Sequence, residues 1–169
     1  EQPDDVLMVG LGGGSLTKYL LYQFPDCKIK TIEFRQSMVK VARRFFHLPL
    51  DSRLKIKIAD GAKYIQEQGK HQPESHDLIM IDAFDHKGLA DTMQGTSLFY
   101  ASKALLSSNG ILVINLWGND EDLFKKIAWE MGTAFDWQIL FLPVKGLGNI
   151  IGLAFATDNP RFSMKELRA

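Results

Sequence analysis

Five times along the chain a short β-rich run is followed by a helical pattern, and then the alternation stops. Val6–Val9 precedes a helix over Ser15–Gln23, which places Leu16, Tyr19, Leu20 and Gln23 on one stripe. Lys28–Glu33 precedes a helix capped by Ser37, with Met38, Val41, Ala42 and Phe45 on its apolar face. Leu54–Ile58 leads into Gly61–Gln68. Asp77–Ile81, apolar enough to be buried on both faces, leads through a loop into Ser97–Leu106. Ile111–Leu116 leads into Asp120–Thr133. Trp137–Pro143 and Asn149–Ala156 are then separated only by VKGLG, too short for a crossover, so they form a hairpin. Such an order dictates an α/β fold: a doubly wound, seven-stranded sheet, mostly parallel, with helices on both faces and an antiparallel strand in its C-terminal hairpin.

The 169 residues suit one domain over 1–169 with a sizeable core, and 46% hydrophobic and 24% charged residues are ordinary for a globular protein. The chain begins without Met and meets its first strand almost at once, so it is expected to be a piece of a longer protein. Nothing approaches the roughly 20 apolar residues of a membrane span, and Cys27 is the only cysteine. A cytoplasmic setting is the expectation. Equal numbers of basic and acidic residues, 20 of each, argue against a general nucleic-acid binder. Acids nevertheless gather late in the chain, at Asp82, Asp85 and Asp120–Asp122.

Ligands of open α/β sheets bind at the carboxyl ends of the strands. The first strand ends in Gly10-Leu11-Gly12-Gly13-Gly14-Ser15, where bare backbone meets a helix N-terminus. It lacks the Gly-Lys-Ser/Thr of a phosphate loop, and Ser15 stands where a dinucleotide fingerprint needs its third glycine. A loop that carries the amino-acid or sulfonium part of an S-adenosyl cofactor remains, beside a tight turn with no ligand. Glu33 ends the second strand, about 20 residues on, and is placed to accept from ribose hydroxyls. Asp60-Gly61 ends the third, where an acid would meet an adenine amino group or simply cap the next helix. The fourth ends in Asp82-Ala83-Phe84-Asp85. Here Asp82 could serve as a general base and Asp85 could hold a cationic substrate, or either could pin the loop. The histidines have no metal-ligand spacing, so no metal site is expected. Asp120–Asp122 dresses a helix N-terminus and adds to a mouth that would suit an amine.

Taken together, VLMVGLGGGSL, IEFRQSMV, DGAKYI, DLIMIDAFD and SLFYASKALLSSNGILVINL resemble the spermidine/spermine synthase family. That family lies within the Rossmann-like S-adenosylmethionine-dependent methyltransferase fold, and GLGGGS with DAFD is similar to its bacterial spermidine-synthase-like members. The resemblance implies that the loop of Gly10, Gly12, Gly13 and Gly14 holds the methionine-derived part of the cofactor and Glu33 its ribose. Asp60 and Gly61 would meet the adenine. Asp82 would match the acid that helps deprotonate an attacking amine, and Asp85 would lie toward the substrate. It further implies S-adenosylmethionine or its decarboxylated form as cofactor, and an amine or similar small nucleophile as partner, acceptor of an aminopropyl or methyl group. A homodimer is the assembly considered.

Four departures narrow this. Spermidine synthases carry GGGDG in the first loop, with an acid that meets the amine end of the decarboxylated cofactor; this chain has Ser15 and no acid there. Ordinary S-adenosylmethionine should therefore be accepted. Asp85-His86 replaces the family's Asp-Pro, and Arg35 stands where a second acid is common. The small N-terminal β domain of the family is expected to be absent from 1–169. A catalytically silent nucleoside-binding or regulatory domain of the same fold is the alternative.

Overall fold

The computed structural model describes residues 2–85, 88–89, 94–118 and 120–157, and gives the backbone alone at 84–85 and 88–89. Nine strands and five helices are present among them. The order is β1 (Asp5–Val9), α1 (Ser15–Gln23), β2 (Lys28–Glu33), α2 (Gln36–Phe45), β3 (Leu54–Ile58), α3 (Gly61–His71) and β4 (His76–Ile81). A two-residue ribbon of β5 (Phe84–Asp85) and β6 (Gly88–Leu89) follows, then α4 (Thr96–Leu105), β7 (Leu106–Trp117), α5 (Glu121–Ala134), β8 (Ile139–Pro143) and β9 (Asn149–Phe155).

The main sheet has seven strands in the order β3-β2-β1-β4-β7-β9-β8. All neighbours from β3 to β7 pair in parallel, whereas β9 runs antiparallel to both β7 and β8. The expected architecture is thus present, with the antiparallel strand second from the edge. The direction of crossover reverses between β1 and β4, which is where such sheets open a crevice. Parallel register sets the strand ends level: Val9 lies beside both Ile32 and Ile81, Glu33 beside Ile58, and Ile81 beside Ile114.

The larger core lies on the face covered by α3, α4 and α5. It contains Leu7, Val9, Ile79, Ile81, Leu112 and Ile114, with Phe99, Met131 and Phe135 from the helices and the turn after α5. The opposite face packs Val6, Met8 and Ile29 under Leu20 and Leu21 of α1. Each fully buried aliphatic side chain stabilises the fold by about 1.5–3 kcal/mol. Central strands buried on both sides must therefore be apolar throughout, as VLMV is.

Local sequence explains most boundaries and corrects some expectations. Asp60 and Asp120 are the N-caps of α3 and α5, accepting from the backbone N–H of Lys63 at 3.0 Å and of Leu123 at 2.9 Å. Pro25 follows the end of α1, and the Arg53 guanidinium donates to the carbonyls of Leu21, Phe24 and Pro25 there. The α1 stripe is rotated from the expected one: Thr17, Leu20 and Leu21 are buried, while Tyr19 is 58% exposed. In α2 only Ala42 is buried and Phe45 is 63% exposed, because α2 flanks the edge of the sheet and its packing is carried by Leu48 and Leu11. Ser37 is not its cap; the helix starts at Gln36. Ser-Asn-Gly after α4 is no turn but lies inside β7, where a register irregularity opposite His76–Leu78 absorbs the extra residues.

Candidate active site

Glu33, Asp60 and Asp82, which follow or end β2, β3 and β4, sit at one end of the sheet, but they are held in different ways. Glu33 is 7% exposed. Its Oε2 accepts from the backbone N–H of Leu11 at 2.9 Å and its Oε1 from that of Arg35 at 2.8 Å. The carboxylate clamps the glycine loop to the end of β2 and opens the turn into α2. A carboxylate oxygen has more than one lone pair, so each retains room for a hydroxyl donor. Asp60 commits Oδ1 to its cap, and among the described residues no hydrogen bond is made to Oδ2. Phe34, just after β2, and Ile58, the last residue of β3, are both exposed.

The glycines separate into two groups. A Cβ on Gly10 would collide with the carbonyl oxygen of Asp82, and its φ of 94° is one that L side chains rarely adopt. The start of the loop is thereby pressed against the end of β4, which the Asp82 N–H holds by donating to the Val9 carbonyl at 2.8 Å. Gly13 and Gly14 face inward: a Cβ would meet Phe46 at 3.1 Å and Leu48 at 2.7 Å. Gly61 lets α3 start against Val9. Only Gly12 of these five faces open space, at φ 50°. It marks where a ligand could lie against the backbone. Beyond it, α1 begins with Gly14 as N-cap, no side-chain cap bond and no acid in its first turn, so its first N–H groups point at the same opening.

Asp82 differs from Glu33 in every respect. It is exposed, and Oδ1 accepts from Asn115 Nδ2 at 3.0 Å. Asn115 Oδ1 in turn accepts from Asn149 Nδ2 at 2.9 Å. This row of side chains runs across the ends of β4, β7 and β9, and the sequence reading passed over both asparagines. A signal existed: Asn is disfavoured in strands, and Ile-Leu-Val-Ile-Asn-Leu places one inside an apolar run. The Asp85 side chain lies outside the described residues. The later acids are partly spoken for: Asp120 caps α5, Glu121 pairs with Lys125 at 2.6 Å, and Asp122 stands in the first turn. Among the described residues, no group of three or more His, Cys, Asp and Glu is arranged to hold a metal ion. No helix among them is long and apolar enough to cross a membrane.

The chain is similar to known proteins over most of its length. The spermine/spermidine synthase domain model matches residues 1–145. A polyamine aminopropyltransferase of Neisseria meningitidis serogroup A is 28% identical over 167 residues, covering 98% of this chain and 62% of that protein. The chain therefore spans about three fifths of the length of this relative. The mouse eEF1A lysine and N-terminal methyltransferase is 32% identical over 145 residues, 80% of this chain and 20% of that protein. Among solved structures, human methyltransferase-like protein 13 in complex with SAH superposes with a TM-score of 0.87 at 27% identity, covering 98% of this chain and 78% of that one. The architecture is the S-adenosylmethionine-dependent methyltransferase fold, and the chain belongs to the spermine/spermidine synthase domain family.

Proposed function

We propose that this chain, as one domain, is an S-adenosyl-cofactor-dependent transferase that moves an aminopropyl or methyl group to an amine or another small nucleophile. The observation that carries the reading is the open backbone at Gly12 after β1, with acids at the same end of the two strands that flank β1, Glu33 and Asp82, and of β3 beyond, Asp60. The donor set fits the cofactor. Glu33 retains acceptor capacity for ribose hydroxyls, Asp60 Oδ2 for an adenine amino group, and Phe34 and Ile58 offer exposed apolar surface. The cofactor supplies an electrophilic carbon on a sulfonium, whose C–S bonding pair leaves with sulfur as a neutral thioether.

The protein's part is to deprotonate and aim. An alkylammonium with a pKa near ~10 must give up its proton before its nitrogen can attack, at a cost of about 4 kcal/mol at neutral pH. Asp82 takes that proton, with Oδ2 as the oxygen not engaged by Asn115. Its backbone, locked to Val9 and pressed on Gly10, fixes the carboxylate relative to the loop. The uncapped start of α1, with Ser15 in place of an acid, favours a cofactor that keeps its carboxylate over a decarboxylated one. The curated relatives' names, aminopropyltransferase and methyltransferase, support both branches of the proposal.

Incubating the protein with either cofactor and a set of diamines and peptide amines, then identifying the nucleoside product, tests this directly. S-adenosylhomocysteine reports methyl transfer and methylthioadenosine reports aminopropyl transfer. Asp82→Asn should lower kcat by about 10²–10⁴. Unchanged turnover in that variant would remove the base. No product with any acceptor would favour the silent binding domain. A homodimer is read from the mass in sedimentation equilibrium.

A further inference from the structure

Resting on that reading of Asp82, we propose that Asn115 and Asn149 form a positioning relay that aims its carboxylate. An ionised carboxylate can only accept hydrogen bonds, so Asn115 must turn its NH2 toward Asp82 Oδ1, as it does at 3.0 Å. That choice leaves the Asn115 carbonyl facing away, where only a donor can satisfy it. Asn149 provides that donor at 2.9 Å. The orientation of two amides is thus dictated by one charge, and in return they hold the charge in one rotamer.

The strand layout makes this row stiff. Ile81 pairs with Ile114, so Asp82 and Asn115 follow one another at the same level; Asn115 pairs with Ile151, and Asn149 with Trp117 on the same antiparallel ladder. Asn115 and Asn149 lie within paired strands, and Asp82 directly follows β4 with its N–H bonded to the Val9 carbonyl. Asn115 and Asn149 are half-buried while Asp82 is exposed, so the relay lies behind the carboxylate and leaves its front to the substrate. Neither asparagine touches a reacting atom. They act through Asp82 by fixing Oδ1 and so directing Oδ2 at the incoming amine.

The isosteric pair Asn149→Leu and Asn149→Asp separates this role from mere packing. Leu removes the donor. Asp replaces it with an acceptor that captures the Asn115 NH2, flipping that amide so that its carbonyl opposes the Asp82 carboxylate. We expect kcat to fall about threefold in Asn149→Leu and about thirtyfold in Asn149→Asp, with KM for the cofactor unchanged in both. Asn149→His, whose Nδ1–H can occupy the donor position, should recover most of the loss seen with Asp. Independently of turnover, the Asn115 side-chain amide resonances should shift in Asn149→Asp and in Asp82→Asn. Equal kcat losses in Leu and Asp, or a larger loss in Leu, would overturn the relay, as would unmoved Asn115 resonances. If Asp82→Asn abolishes turnover while the Asn149 variants keep it, only the relay falls. If Asp82→Asn itself leaves turnover intact, the base assignment falls and the positioning role with it.

Discussion

Glu33 and Asp82 are carboxylates at the ends of strands that both flank β1, yet they belong to different parts of the molecule's economy of hydrogen bonds. Glu33 is buried and both its oxygens serve backbone N–H groups, one of them in the glycine loop. Asp82 is exposed, and among the described residues it is held by one side-chain amide, at Oδ1. The contrast teaches how two carboxylates at one end of the sheet can differ: Glu33 is fixed at both oxygens by backbone N–H groups and keeps only its spare lone pairs, whereas Asp82 is tethered at one oxygen. In the proposed function the first serves the cradle and the second the proton transfer.

The largest effect that would break this contrast is expected at the point where the two parts touch. Gly10→Ala drives a Cβ into the Asp82 carbonyl at a φ of 94°, and should destabilise the fold by about 3 kcal/mol or more in urea unfolding. A wild-type midpoint would mean that the loop and β4 are not in fact pressed together. Glu33→Gln comes next. Gln can accept at only one oxygen, and its NH2 would face a backbone N–H, so about 2 kcal/mol of stability should be lost. Asp82→Asn should lose almost none, because its carbonyl still accepts from Asn115; equal losses in the two variants would erase the distinction drawn here.

Gly12→Ala sharpens the cradle side. Its Cβ points into open space, so the fold should lose only about 1 kcal/mol from the left-handed backbone, while affinity for an S-adenosyl nucleoside falls at least about tenfold. Retained affinity would move the ligand away from the loop.

The smallest effect lies at the opposite end of β4. Burial, with Lys30 nearby, holds the His76 imidazole below the usual histidine range, against the pull of Asp5 and Asp77. The unfolded chain therefore takes up this proton more readily than the folded one. The stability His76 contributes is complete above about pH 6.5 and is lost as pH falls through the lower folded value. Asp77 follows in a more acidic window. Burial raises it, but the N–H groups of Asp4 and Asp5 and the Ser107 hydroxyl together bring it below the usual carboxylate range. His76→Gln should flatten the decline in urea midpoint between pH 7 and pH 5.5; an unchanged decline would assign it to other groups.

Strand and helix order was legible because the periods of 2 and 3.6 alternate so plainly, and the candidate acids because each sits where a strand stops. What periodicity could not supply was the rotation of α1 and α2. Tyr19 and Phe45 have the hydrophobicity of buried residues, and only the packing of Leu21 and Leu48 shows which side faces inward. The glycine loop was read as one ligand cradle, although Gly10, Gly13, Gly14 and Gly61 each have a packing reason and Gly12 alone is open. Sequence shows that a side chain is missing, not what would have collided with it. Asn115 and Asn149 went unnoticed for a similar reason: an amide is given its role by a partner more than 30 residues away, and no local pattern records that.

The proposed division of labour at this end of the sheet can be tested most directly by titrating S-adenosylhomocysteine into the wild-type and Asp82→Asn proteins in a calorimeter. The account predicts the same dissociation constant in both, within about twofold, because the nucleoside is held by the loop, Glu33 and Asp60 while Asp82 serves the acceptor. Absence of binding to the wild type, or loss of binding in Asp82→Asn alone, would contradict it.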